Sequence, residues 1–386
     1  MPTATRQAPS KGNGEKRAAA PPRPFRVGTV SHTEINYDVT TNMTASTQDL
    51  AVLEIPPAGF LRGVTILCEA TSATNVATVA LTNNNAPFSV YDSITFEDTN
   101  SKPIVGPVNG YDLYLINKYG GYRFSSDPKQ STIFNVITGA AGTITFAFRL
   151  RIPVELVARD ALGSLPNKSG TNKFKVRIRM AAAAAVYSTA PTNAVAVRTR
   201  MVQEDWWEPD MVDLKGRPLS QNPPAVQTTQ YWTKGTYNQG AGDQRIQIQQ
   251  GLGYLLRNYI FMNPPATGTL VRDATSDAAW PDPATIQFES NVISDTLRPI
   301  WRDDIARDYG YNAAVETAGG RDYSVYPLPF MLDFGLQPGA ETRRGYLPTA
   351  DASRMELRGN FGVAPTLTVL ANYVAPAGGD DMSITL

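Results

Sequence analysis

Two stretches of this chain are compatible with only one regular backbone conformation. In Thr143-Ile144-Thr145-Phe146-Ala147-Phe148-Arg149-Leu150-Arg151-Ile152 and in Lys173-Phe174-Lys175-Val176-Arg177-Ile178-Arg179-Met180, apolar side chains recur at every second position. That period fits a strand with one buried and one solvated face, and it scatters around a helix. In the second stretch the alternate residues are basic, so the outer face of the strand is charged. Segments of similar character run from Thr33 to Tyr37, Leu50 to Ile55, Leu61 to Cys68, Val76 to Leu81, Val90 to Phe96 and Ala194 to Val202, each bounded by Pro, Gly or Asn clusters.

At 386 residues the chain is long for one ordinary domain and comfortable for two. The stretch from Glu204 to Pro224 is proline-rich and aperiodic, which places a junction near residue 215. A second β series follows over 228–237, 245–249, 255–262, 285–290, 323–334, 354–357 and 365–374. Each half holds one helix candidate. Tyr111 to Tyr119 has helical apolar spacing after Asn109, a plausible N-cap, and Pro299 to Arg307 carries proline in its first turn. Only 18% of the residues are charged, against 30 Gly and 29 Pro, as suits a turn-rich β protein.

The halves also echo each other. Gly163-Ser164-Leu165-Pro166, the strand around Val176 and Ala190-Pro191-Thr192-Asn193-Ala194-Val195 correspond in order to Gly345-Tyr346-Leu347-Pro348, the Met355-Glu356-Leu357 strand and Ala364-Pro365-Thr366-Leu367-Thr368-Val369. A duplicated fold follows. The expected architecture is all-β: two tandem eight-stranded antiparallel jelly-roll sandwiches with short inserted helices, a double jelly roll. Residues 1–25 are expected to be a flexible basic N-terminal arm, 26–214 the first jelly roll, 215–374 the second, and 375–386 a C-terminal arm.

Enzyme chemistry finds little purchase. The single histidine, His32, and the single cysteine, Cys68, cannot assemble an ordinary zinc site or an intrachain disulfide. Cys68 sits in an apolar run and reads as a buried thiol. Asp303-Asp304, Asp380-Asp381 and Asp273 with Asp277 could bind calcium or, as carboxylate pairs, hydrolyse a glycoside. For Asp303 and Asp304, ion pairing with Arg302 and Arg307 on a helix surface is the simpler account. Gly235, Gly240 and Gly242 lack the lysine-serine sequel of a phosphate loop. No catalytic residue, metal or cofactor is expected.

Trp206, Trp207 and Trp232 flank the junction and are expected to pack the sandwiches on each other or on a neighbouring subunit, with sugar stacking as the alternative. Lys+Arg and Asp+Glu are equal at 35 each, so no net field draws the chain to nucleic acid, and sequence-specific nucleic-acid binding is not expected. The positive excess of the arm lies in Arg6, Lys11, Lys16, Arg17 and Arg23. These residues are the candidates for contact with an anionic surface, where each adds about 1 kcal/mol near a phosphate layer.

From Gly142 to Met180, with Pro153-Val154-Glu155-Leu156 and Asp160-Ala161-Leu162-Gly163-Ser164-Leu165-Pro166-Asn167 between the two strands, the chain resembles the double jelly-roll major capsid proteins of tectivirus-type phages. These are tailless phages whose icosahedral shell encloses a membrane. Thr296-Leu297-Arg298-Pro299-Ile300-Trp301 through Asp308-Tyr309-Gly310, followed by Tyr326-Pro327-Leu328-Pro329-Phe330, is similar in the same way. The resemblance implies a coat protein that forms pseudo-hexagonal homotrimers, tiling a shell assembled in the host cytoplasm and carried in the virion. It also implies neighbouring trimers, penton and minor capsid proteins as partners, and lipid headgroups of an internal membrane as contacts of the N-terminal arm. Pro21-Pro22-Arg23-Pro24 departs from family members whose N-terminus is helical, since it forbids a continuous helix into the first strand. A carbohydrate-binding or receptor-binding spike of jelly-roll type is the alternative reading. Deleting residues 1–24 is expected to leave trimers intact while weakening shell assembly or binding to anionic liposomes, as measured by sedimentation and liposome flotation. Normal shells and unchanged liposome binding would reduce the arm to a solvated tail.

Overall fold

A computed structural model describes residues 21–81, 85–122, 127–136, 141–223, 228–248, 255–263, 279–309, 322–331, 345–349, 354–364 and 366–375. The strands of the first half are β1 (Ser31–Asn42), β2 in two pieces (Gln48–Asp49 and Leu53–Glu54), β3 (Phe60–Ser72), β4 (Tyr91–Glu97), β5 (Pro103–Val108), β6 (Thr145–Pro153), β7 (Lys175–Met180) and β8 (Val195–Trp206). Those of the second half are β9 (Gln230–Asn238), β10 (Gly242–Gln247), β11 (Leu255–Met262), β12 (Ala284–Phe288), β13 (Asn291–Thr296), β14 (Val325–Pro329), β15 (Met355–Phe361) and β16 (Thr366–Val374). Among the described residues three α-helices accompany them: α1 (Phe25–Gly28), α2 (Gly110–Tyr119) and α3 (Arg298–Tyr309).

Hydrogen bonding orders the first half as β1-β8-β3-β6 and β2-β7-β4-β5, and the second half as β9-β16-β11-β14 and β10-β15-β12-β13. The second pair of orders is the first with eight added to every strand. Each half is therefore an eight-stranded jelly roll, and the fold is a double jelly roll. The sequence echo marks equivalent places in it. Leu165–Pro166 pairs with the first two residues of β3, and Leu347–Pro348 pairs with the first two of β11. Gly163 and Gly345, two residues before these short pieces, have φ of 81° and 92°, a conformation that costs glycine nothing.

Alternation sets the faces as the sequence requires. Val176, Ile178 and Met180 of β7 are buried, while Lys175, Arg177 and Arg179 point outward, where Arg177 pairs with Glu97 at 2.9 Å. Phe146, Phe148, Leu150 and Ile152 of β6 enter the same core as Val64, Ile66 and Cys68 of β3. Cys68 is fully buried, and burial pushes its thiol up to about 12, so it stays protonated and inert.

Some segments differ from the sequence reading. Within 76–81 only Ala80–Leu81 forms a strand, because its partner is the short Tyr187–Thr189 piece. The strands β5 and β13 carry no apolar alternation to announce them. The first contains Pro103 and Pro107, and the second lies at a sheet edge with every residue at least partly exposed. Helix α2 starts where expected, with a capping box in which Asp112 N donates to Asn109 Oδ1 at 2.7 Å and Asn109 N donates to Asp112 Oδ2 at 3.0 Å. It is buried on every side, so the stripe seen in the sequence is only part of its packed surface.

The two rolls are joined edge to edge. β5, the fifth strand of the first roll, pairs in parallel with β9, the first strand of the second, through Val105 and Trp232. One ten-stranded sheet thereby runs through both halves. The prolines of β5 limit the N–H donors it can offer, which suits a join confined to one registered pair. Helix α2 seals the join from one side. The Arg257 guanidinium, fully buried on β11, donates to Gly120 O at 3.0 Å, Tyr122 Oη at 3.1 Å and Asn372 Oδ1 at 3.2 Å. Lys234 on β9 pairs with Asp112 at 2.6 Å, Lys118 pairs with Asp322, and Asn258 Nδ2 donates to Tyr119 O at 2.8 Å. Both faces of β11 are consequently buried, which explains its unbroken apolar run around a single arginine and asparagine.

Because the rolls share a sheet and a buried polar network, they are expected to unfold in one guanidinium transition. Trp232→Ala should lower stability by about 3–5 kcal/mol, the usual cost of emptying a tryptophan site in a core. Two separate wild-type transitions, or a Trp232→Ala effect confined to one of them, would show that the rolls fold independently.

Candidate assembly surfaces

The surfaces that could meet other molecules begin where the N-terminal segment joins the first roll. Pro24 ends the proline-rich run, and the single turn α1 drops Phe25 into a small cluster with Phe60, Ala161 and Trp206. The Phe25 and Phe60 rings meet edge to face at 5.1 Å. The buried carboxylate of Glu155 accepts from Trp206 Nε1 at 2.6 Å and from Arg62 Nε at 3.0 Å. Arg26 and Arg62 both lie over the Trp206 ring, at 3.6 and 3.8 Å from its centroid. Arg23 is bridged to the inter-roll linker, donating its N to Leu219 O at 3.2 Å and accepting from Gln221 N at 2.9 Å, while its side chain is exposed. Residues 21–25 are thus held against the fold, whereas Arg6, Lys11, Lys16 and Arg17 lie outside the described residues, as do 376–386 of the C-terminal segment.

The three junction tryptophans separate. Trp232 sits at the join between the rolls, fully buried, with Nε1 3.4 Å from Tyr122 Oη. Trp206 belongs to the base of the first roll and is 3% exposed. Trp207 is 54% exposed, and its ring lies 5.3 Å from that of His32. Buried rings offer no face to a sugar, so Trp206 and Trp232 cannot serve as stacking platforms. Trp207 N donates to Val30 O at 3.0 Å, and Val30 is itself more than half exposed.

Two sheet edges form the other exposed apolar regions. β1 ends one sheet and exposes Ile35; β13 ends another and exposes Val292 and Ile293, followed by Leu297 and Ile300 at the start of α3. On α3, Asp304 is ion-paired with Arg307 at 2.8 Å, as the helix spacing suggested, and the second partner of Arg307 is Asp308, at 2.9 Å, a pairing the sequence reading had not named. Among the described residues no group of three His, Cys, Asp or Glu could hold a metal ion; Asp273, Asp277, Asp380 and Asp381 lie outside them. Nor, among the described residues, is any helix long and apolar enough to cross a membrane.

The residues of the inter-roll network that the sequence reading did not single out include Arg257, Tyr122, Asp322, Lys234, Asn258 and Asn372. Arg257 alone carried a signal, as a charge inside the otherwise apolar Leu255–Met262 run.

One titrating group stands out at the base. Asp205 is fully buried on β8, registered opposite His32 of β1. Burial pushes its carboxyl up to about 7, with Glu34 and Glu204 adding to the rise while Gln203 and Arg62 oppose it. The folded pKa thus lies above the ordinary 3.8, so between these values the unfolded chain releases a proton that the folded chain keeps. Stability conferred below pH 3.8 is then lost as pH rises toward about 7, by an amount on the order of a few kcal/mol. Asp205→Asn is expected to flatten this slope in denaturation curves taken from pH 4 to 8, and an unchanged slope would refute the assignment.

Comparison with known proteins bears on the fold alone. No protein-family model and no curated protein sequence matches the chain. Among solved structures it is similar to a chain of Sulfolobus Turreted Icosahedral Virus, with a TM-score of 0.60 at 12% identity over 90% of this chain and 91% of that one. It is also similar to a chain of the PBCV-1 virus capsid, with a TM-score of 0.53 at 11% identity over 90% and 94%, respectively. A third likeness is to the major capsid protein P2 from Bacteriophage PM2, with a TM-score of 0.50 at 10% identity over 89% and 97%. Strand order, internal duplication and these full-length likenesses agree: this chain has the double jelly-roll fold of those viral chains.

Proposed function

We propose that this protein is the major capsid protein of an icosahedral virus, a structural protein that works by self-association. The observation that carries this reading is the edge-to-edge fusion of two jelly rolls into one rigid unit, over the full length of proteins whose own role is to build capsids. A chain with equal numbers of positive and negative side chains can pack densely against copies of itself with little charge repulsion. Its place is the virion shell.

The finer reading is a homotrimer. Three two-roll chains present six similar rolls, which gives a pseudo-hexagonal tile that can pave a shell beside penton and minor capsid proteins. The N-terminal arm leaves the fold at the base of the first roll, where Phe25 fixes its root in the cluster of Trp206, whose chain neighbour Trp207 is exposed. An exposed tryptophan next to a basic segment has the chemistry of a surface that rests on lipid headgroups, so the arm and Trp207 face the internal membrane.

Sedimentation of the purified protein at micromolar concentration is expected to give a single species of three times the monomer mass. A stable monomer would overturn the coat-protein reading.

A further inference from the structure

The duplication leaves two strand edges that are counterparts of the edges already joined inside the chain. The internal join uses the fifth strand of the first roll, β5, and the first strand of the second roll, β9. The corresponding strands left over are the fifth of the second roll, β13, and the first of the first roll, β1. Both stand at the ends of their sheets. Neither contains lysine or proline, two of the residues that ordinarily protect a bare edge, though β1 bulges at Asn36 and β13 at Ile293. Both expose aliphatic side chains instead: Ile35 is 61% exposed on β1, and Val292 is 58% exposed on β13.

We infer that β13 of one copy docks against β1 of the next, repeating between chains the β5–β9 join made within the chain. This rests on the trimer reading above and names the surface that makes it. Each internal join steps from first roll to second, and each β13–β1 join steps onward to the first roll of the next copy. Such a head-to-tail contact uses two different surfaces, so it either closes into a ring or propagates as a filament. A trimer is the closed form, with six rolls joined by alternating internal and external versions of one contact.

The register follows from the duplication. Trp232 stands opposite Asn372, two residues before the end of β16; Thr33 stands opposite Glu204, two residues before the end of β8. Val105 faces Phe96, one residue before the end of β4; Val292 faces Gln287, one residue before the end of β12. Thr33 therefore takes the place of Trp232, and Val292 the place of Val105. Pairing them sets Val292 beside Thr33 and Ile35. Unlike β5, β13 has no proline, so every one of its residues keeps an N–H donor.

The test is a cysteine pair, Thr33→Cys with Val292→Cys, in the full-length chain; the buried Cys68 does not compete. After oxidation with diamide, a non-reducing gel should show covalent trimers for the pair and monomers for either single variant. Trimers in sedimentation that stay monomeric on the gel would overturn the β13–β1 contact and leave the trimer reading standing. A ladder extending past three chains would overturn ring closure through this contact. A monomer in sedimentation would instead remove the trimer reading, and the inference with it. As a second measurement, Ile35→Asp with Val292→Asp sets like charges opposite each other across the contact. It should weaken trimer association by about tenfold or more with an unchanged circular dichroism spectrum. Association equal to wild type would count as refutation.

Discussion

The β5–β9 join is the contact on which the rest of the molecule depends. A jelly roll taken alone has open sheet edges that must be covered or protected. Here two of them are closed against each other, at Val105 and Trp232, and helix α2 is laid over the seam. The desolvation cost of burying Arg257 there is offset by three acceptors, one of them the carbonyl of Gly120 at the C-terminus of α2, where a cation is favoured. Because these groups come from both halves, neither roll can shift relative to the other without leaving a buried charge unpaired. The result is a stiff two-roll block.

Rigidity of this kind suits the shell role proposed above. A subunit that must meet copies of itself along fixed edges loses little conformational freedom on assembly if its parts are already locked. The remaining edges and exposed apolar side chains lie at the outside of the block, on β1, on β13 with the start of α3, and at Trp207. Cys68 is buried and protonated in the core, and Asp304 and Asp308 are paired with Arg307 at the surface of α3.

The base of the first roll shows how a segment of low complexity can be tied to a folded body. Pro21 to Pro24 cannot continue a helix, but Phe25 immediately after them reaches the ring of Phe60 and the Trp206 cluster. Trp206 is held by the buried Glu155, which is itself paired with Arg62. The same region contains Asp205, whose raised pKa reflects a carboxyl taken out of water on the inner face of β8.

Much of the fold was legible from local pattern. Period-two alternation determined β6 and β7, the Asn109 to Gly121 punctuation determined α2, and the repeated Gly-x-Leu-Pro signal marked the same strap in both rolls. Such features depend only on near neighbours in the chain, so the sequence by itself decided them. Strands without alternation stayed hidden: β5 because its prolines suit a join with one registered pair, and β13 because every one of its residues is at least partly exposed. The roles of the tryptophans were equally beyond local reading. Neighbours such as Trp206 and Trp207 point to opposite sides of a strand end, and only the packing of Phe25, Arg26 and Arg62 over one of them decides that it is buried while the other is exposed. Tertiary structure alone determined that Trp232 lies at the seam, because its partners Val105 and Tyr122 are more than a hundred residues away in the chain.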